Sequence, residues 1–149
     1  LLVGIRNNDN NINKYFSIKR KFPEKDLFEF KIGGMRTFSD LIKELLSIGL
    51  PGLEGIVNKE ISKYNHELPF HTKESLLAEW DRQTPLISKY FNQISEERLK
   101  EDFNLFGEFN FPIYQNIIYF LDNEIHHRAQ GYVYLRALGI EPPMFWDRN

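Results

Sequence analysis

The chain has 149 residues, a length that holds one domain around a single core. Its 19 Lys and Arg against 21 Asp and Glu give a formal charge of −2, which lacks the basic footprint that nucleic acid or an anionic membrane surface requires. Hydrophobic residues at 42% exclude wholesale disorder, and the absence of cysteine excludes disulfides, thiolate catalysis and Cys-based zinc sites.

No apolar run approaches the roughly 18 residues of a membrane span. No basic-then-apolar leader opens the sequence, so a cytoplasmic protein is expected. The chain begins at Leu1 rather than Met, and a short preceding piece is expected.

Four long helical segments with irregular connectors are expected, making an all-α single domain over residues 1–149. The first, Leu1 to about Lys21, spaces Leu1, Leu2, Ile5, Ile12, Tyr15, Phe16 and Lys19 in near-helical register. The Asn7–Asn11 stretch opposes it, because short polar side chains compete for their own backbone. The Lys19-Arg20-Lys21 cluster reads as ordinary surface. Pro23 and Gly33-Gly34 then punctuate a connector.

Thr37-Phe38-Ser39-Asp40 announces the second helix through a capping-box-like start. Phe38, Leu41, Ile42, Leu45, Ile48 and Gly49 follow on one face, and Ile56 and Val57 continue it. Pro51 lacks a backbone donor and predicts a kink or break. Glu44 falls just outside the stripe, as a solvated flank.

Thr72 caps a third helix, in which Leu76, Trp80, Gln83 or Thr84, Ile87, Phe91 and Ile94 form a stripe and Pro85 predicts a bend. A short helical turn is expected at Ser95-Glu96-Glu97. Residues 102–111, rich in Phe and Asn around Gly107, read as an aromatic-lined loop.

Asn110 as cap and Pro112 in the first turn open the fourth helix; Gly139 and Pro142-Pro143 close it. Tyr114, Ile117, Ile118, Leu121, Ile125, Tyr132 and Leu135 mark its inner face. Ile113, Phe120 and Leu138 widen that face past half the circumference. Contacts on two sides follow, a bundle core and a second surface such as a dimer partner.

Four histidines could carry chemistry. His66 and His71, with Glu67, lie in a connector broken by Pro69 and make a poor loop metal site. Asn123 and His127 are one helical turn apart and share a face, whereas His126 points about a hundred degrees away. Taken alone, the His126-His127 pair reads as hydrogen-bonded packing. Glu124 and Arg128, four apart, read as a structural salt bridge.

The run Asn123-Glu124-Ile125-His126-His127-Arg128-Ala129-Gln130, continued by Tyr134-Leu135-Arg136 and Gly139-Ile140-Glu141-Pro142-Pro143, resembles the end of the DinB/YfiT-like family. That family's pattern is His-x-x-His-His-Arg-x-Gln, a Tyr-Leu-Arg stretch, then Gly-x-x-Pro-Pro. Gly34-Met35-Arg36-Thr37-Phe38-Ser39-Asp40-Leu41 is similar to the family's entry into its second helix. The resemblance implies a four-helix bundle, usually dimeric, holding one divalent metal (zinc, nickel, manganese or iron) on three histidines. One histidine comes from the second helix and two from the last. The activities implied are thiol transfer, in bacillithiol or mycothiol chemistry, and related isomerisation. It also gives Gln130 and Arg136 packing or supporting roles.

This chain departs from the implied ligand set. Alignment places Glu44, Asn123 and His127 at the three metal positions. A carboxylate and an imidazole bind such metals, but a neutral amide oxygen is a feeble donor, so a weakly held or absent ion is expected. Without metal, Glu44 would pair with protonated His127 or accept a hydrogen bond from the Asn123 amide. Two functions stay open: a metal-dependent thiol transferase or hydrolase acting on a small molecule or thiol in the cleft between helices, and a non-catalytic dimeric bundle module that has lost its metal.

Overall fold

The computed structural model describes residues 19–144. The expected first helix therefore lies outside the described residues, except that residues 19–21 are helical. Lys19 is not on the surface: it is 1% exposed, with its ammonium over the indole of Trp80. Burial pushes its amine well below the ordinary lysine value, against the opposing charges of Glu124 and Asp81.

Within the connector a short helix, α1 (Glu24–Glu29), buries Leu27. Helix α2 (Phe38–Asn58) starts at Thr37, whose hydroxyl accepts the Asp40 N–H at 3.3 Å while the Asp40 carboxylate accepts the Thr37 N–H at 3.2 Å. The reciprocal pairing satisfies two backbone donors that the helix start leaves orphaned. Of the kink or break that Pro51 predicts, the break does not occur: α2 runs on through the proline. Leu50, Gly52, Leu53 and Ile56 are all buried around it, and that packing holds the turn against the loss of one hydrogen bond. The helix ends at Lys59 in left-handed conformation (φ 59°), and the Gly55 carbonyl accepts the last N–H groups.

Helix α3 (Lys73–Phe91) starts with a second capping box, Thr72 with Ser75, and also continues through its proline, Pro85. A 3-10 turn at Arg98–Lys100 follows.

The expected aromatic loop is a β-hairpin. Strand β1 (Asp102–Leu105) pairs antiparallel with β2 (Phe109–Pro112), Phe103 opposite Phe111 and Asn104 opposite Asn110. Phe103 and Leu105 alternate inward, the period-two signature of a half-buried strand. Left-handed Phe106 (φ 57°) and Gly107 (φ 80°) make the reversal. Asn110 is consequently a strand residue and not a cap. Helix α4 (Ile113–Ala137) starts directly from Pro112 without a side-chain cap, and the Ile113 N–H donates to Glu101 O at 2.9 Å. Gly139 (φ 74°) ends it as expected, with Ile140 N–H returning to Leu135 O.

Two core clusters fix the helix directions. Phe38, Leu41 and Ile42 at the start of α2 pack with Tyr134 and Leu135 at the end of α4. Leu53 and Ile56 pack with the hairpin and with Ile113 and Ile117 at the start of α4. Helices α2 and α4 are therefore antiparallel neighbours. The inner face of α4 differs from the expected stripe. Ile117 and Leu135 are buried, but Tyr114 and Ile125 are 43% and 44% exposed, and Asn116, His127 and Tyr134 take the core side. Hydropathy misplaces this face because both polar residues are buried with partners. Asn116 donates to Phe103 O and Phe111 O, and His127 faces Glu44 and Gln130.

Candidate functional site

Antiparallel packing of α2 and α4 brings Glu44 to His127. Glu44 sits near the second turn of α2 and His127 four turns into α4. Their side chains meet with Glu44 Oε1 3.0 Å from His127 Nε2. Glu44 is thus not a solvated flank: its side chain is 15% exposed and faces α4.

The other carboxylate oxygen, Oε2, accepts from the Arg36 guanidinium at 2.5 Å. Tyr134 holds Arg36 in turn, its hydroxyl donating to the Arg36 carbonyl. Burial would raise the Glu44 carboxyl, but the hydrogen bonds and charges of His127 and Arg36 outweigh it and hold the group below the ordinary glutamate value. Glu44 is ionised, so a proton lies on His127 Nε2.

His127 Nδ1 is 2.7 Å from Gln130 Oε1. The tautomer of the ring and the orientation of the Gln130 amide together decide whether Nδ1 donates to the amide oxygen or accepts from its NH2. Both ring nitrogens are engaged in either case, and the side chain is 5% exposed.

Asn123, one turn before His127, does not join this cluster. Its amide nitrogen is buried with no hydrogen-bond partner. Instead Asn123 borders an apolar cavity of about 110 Å³ between α2, α3 and α4. Glu124 borders the same cavity and pairs with Arg128 at 3.5 Å, as the spacing suggested. Burial raises the Glu124 carboxyl despite the nearby cations Arg128 and Lys19.

Residues 42–148 match the sequence profile of the DinB family. The chain belongs to the DinB family. Its fold also matches a DinB-like protein from Bacillus cereus with a TM-score of 0.72, at 11% identity, over 91% of this chain and 90% of that one. At that identity the likeness concerns the fold alone: an all-α bundle with a small hairpin added. No curated protein matches the sequence. Glu44, Asn123 and His127 all fall inside the span matched to the DinB family, whereas Arg36 lies just before it.

Sequence reasoning missed three neighbours of Glu44. Arg36 figures only within the stretch similar to the family's entry into its second helix; preceding the helix, it belongs to no periodic stripe that would aim it at Glu44. Tyr64 and Tyr119, both 41% exposed, feel the Glu44 charge; burial and that charge raise both phenols. The remaining histidines stand apart. His126 is exposed beside the His127 ring, and His66 packs on the Tyr64 ring at 5.3 Å.

Among the described residues, no three His, Asp or Glu side chains converge as a ligand set. The three positions that resemblance assigns to a DinB metal supply one imidazole nitrogen, one carboxylate oxygen and an amide directed elsewhere. A guanidinium on the second carboxylate oxygen competes with a cation for the same charge. These donors do not fit a tightly held divalent metal.

Proposed function

We propose that this DinB-family chain is a non-catalytic helical-bundle module, in which a fixed Arg36–Glu44–His127–Gln130 cluster stands where the resemblance implies a three-histidine metal centre. One observation carries the reading: both ring nitrogens of His127 and both carboxylate oxygens of Glu44 are already hydrogen-bonded within the protein. A general base must reach the proton that it removes, and His127, buried with both nitrogens engaged, offers a substrate neither. The cluster ties α2 to α4 instead.

The module reading includes a second copy of this chain as partner. Tyr114, Ile125 and Val133 leave apolar surface on the outer side of α4, the residue of an apolar arc wider than one core needs. Sedimentation velocity of the native protein should give a dimer, and Ile125→Glu with Val133→Glu should give a folded monomer. A wild-type monomer at high micromolar concentration removes this part of the reading.

A metal-dependent reading, as a thiol transferase or hydrolase, has one observation in its favour. Two ligands bound at about 2.1 Å to one ion at right angles would themselves be about 3 Å apart, and Glu44 and His127 are separated by 3.0 Å. Elemental analysis of protein purified without chelator or His tag decides between them. Well under one zinc, nickel, manganese or iron per chain is expected, and near-stoichiometric metal would overturn the non-catalytic reading. Glu44→His with Asn123→His should gain metal if the position is a diluted metal centre.

A further inference from the structure

We infer that the connector 59–72 is a strap that covers the Glu44 carboxylate and swings off it while the helical bundle stays folded. Its course follows from the helices that it joins. Gln83 of α3 donates to Leu46 O at 3.0 Å, and Ile87 of α3 lies against Gly49, so α3 runs parallel to α2. Parallel neighbours need a return connection as long as the helix itself, about 30 Å for α2. Residues 59–72 make that return without helix or strand, longer than the roughly 2–8 residues common between helices of a bundle. They descend beside α2 in order. The Glu60 N–H donates to Gly55 O, the Ser62 hydroxyl to Pro51 O at 3.2 Å, and Leu68 and Phe70 pack on the first core cluster. Tyr64 lies between these anchors, beside Ser47 and within the field of Glu44.

Side chains alone hold the middle of the strap. From residue 61 to 71, among the described residues, one backbone N–H is hydrogen-bonded, that of Glu67, and its acceptor is Asn65 Oδ1 in the same segment. None of these residues is buried. A segment with so few bonds to the body opens locally at a small fraction of the global unfolding free energy. The tip of the β-hairpin clasps it: the Phe106 ring lies 5.8 Å from that of Tyr64, and a Cβ on Gly107 would meet Ile61 Cγ2 at 3.8 Å. The same tip holds Tyr119 of α4 through Phe109, with ring centroids 6.1 Å apart. Both phenols feel the Glu44 charge. A fixed tyrosine on α4 and a movable one on the strap thus stand by a carboxylate whose side chain is left 15% exposed. The strap sets how far Glu44 meets solvent whatever the cluster does, so this inference stands or falls apart from the proposed function.

The test labels carboxylates of the intact protein with a water-soluble carbodiimide and glycinamide, at single-hit levels, and follows Glu44 by peptide mass with exposed Glu29 as reference. Glu44 should label at least ten-fold more slowly than Glu29, at a rate insensitive to urea well below the unfolding midpoint. Ile61→Ala with Ser62→Ala loosens the strap at the level of Pro51, about two turns from Glu44. It should raise Glu44 labelling and tryptic cleavage after Lys63 together, about three-fold or more, with Glu29 labelling and the urea midpoint unchanged. Ser62→Ala alone should act in the same direction and stands in for a double variant that fails to fold. Three results would each overturn the inference: Glu44 labelling as fast as Glu29, labelling that climbs with urea as steeply as global unfolding, or Glu44 labelling left constant in the folded variants.

Discussion

Glu44 and His127, 83 positions apart in the chain, join α2 to α4 through a 3.0 Å hydrogen bond. Because His127 and Arg36 each hold one carboxylate oxygen and together outweigh the effect of burial, Glu44 titrates lower in the folded protein than in the unfolded chain. A lowered acid contributes stability above its unfolded value, about 4.3, and that stability is lost as pH falls through the folded value. Glu44→Gln should cost about 1–2 kcal/mol at pH 7, discounted because Arg36 is half-exposed. The cost should shrink as pH falls below about 4. Urea unfolding of both proteins across that range measures it; an acid limb unchanged by the substitution would show that the pair is not formed.

Glu124 is expected to behave in the opposite sense. Burial raises its carboxyl despite Arg128 and Lys19, so the folded protein holds this proton more tightly than the unfolded chain does. Stability from this group is fully present below about pH 4.3 and is lost as pH rises through the folded value. Glu124→Gln removes that slope. The stability of the variant relative to wild type should therefore be more favourable at pH 7 than at pH 4, measured by urea midpoints. A difference independent of pH would contradict the burial of this carboxylate.

Two glycines on one helix should respond in opposite directions to alanine. At Gly55 a Cβ would stand 2.7 Å from the Glu60 carbonyl oxygen and 3.1 Å from Ser62 Oγ. The backbone carbonyl cannot swing away, so Gly55→Ala should destabilise by about 1–3 kcal/mol. At Gly49 the added methyl meets only Ile87 at 3.9 Å, and alanine should stabilise by up to about 1 kcal/mol through helix propensity. Thermal melts of the pair check both signs at once.

Asn116 anchors the hairpin. Its amide, almost fully buried, donates to Phe103 O on one strand and to Phe111 O on the other. Asn116→Leu would leave both carbonyls without that donor, with an expected cost of about 2 kcal/mol. Hydrogen exchange should show selective loss of protection in β1 and β2. Uniform loss across α2 and α3 would mean instead that the damage is global.

The parts of this fold legible in the sequence are those written in local chemistry. Thr37 with Asp40, and Thr72, read as helix starts; both caps formed, the second as a capping box with Ser75. Gly139 reads as a helix end because its backbone occupies the left-handed region there. Pro51 suggested a break that did not form, since a proline removes one hydrogen bond locally and the packing that outweighs it comes from distant chain. The hairpin was hidden in plain alternation: Phe103 and Leu105 already had period two, but the surrounding Phe and Asn content suggested a loop.

The candidate site divides along the same line. The one-turn spacing of Asn123 and His127 is local, and the approach of Glu44 to His127 followed from resemblance. Nothing in the sequence pairs Arg36 with Glu44 or sets Asn123 at the edge of a cavity. Both outcomes depend on how three helices pack, and the buried polar face of α4 breaks the hydropathy rule from which packing would be judged.

The passage from β2 into α4 has a kinetic consequence. No connector separates Pro112 from Ile113, and the contacts that Asn116 and Ile113 make with the hairpin span about a dozen residues, whereas Glu44 must find His127 across most of the chain. Short loops close early and long ones late. Substitutions at Asn116 should therefore slow refolding, while those at Glu44 should leave refolding nearly unchanged and hasten unfolding, so a pair of chevron plots would order the assembly of this bundle from its hairpin end.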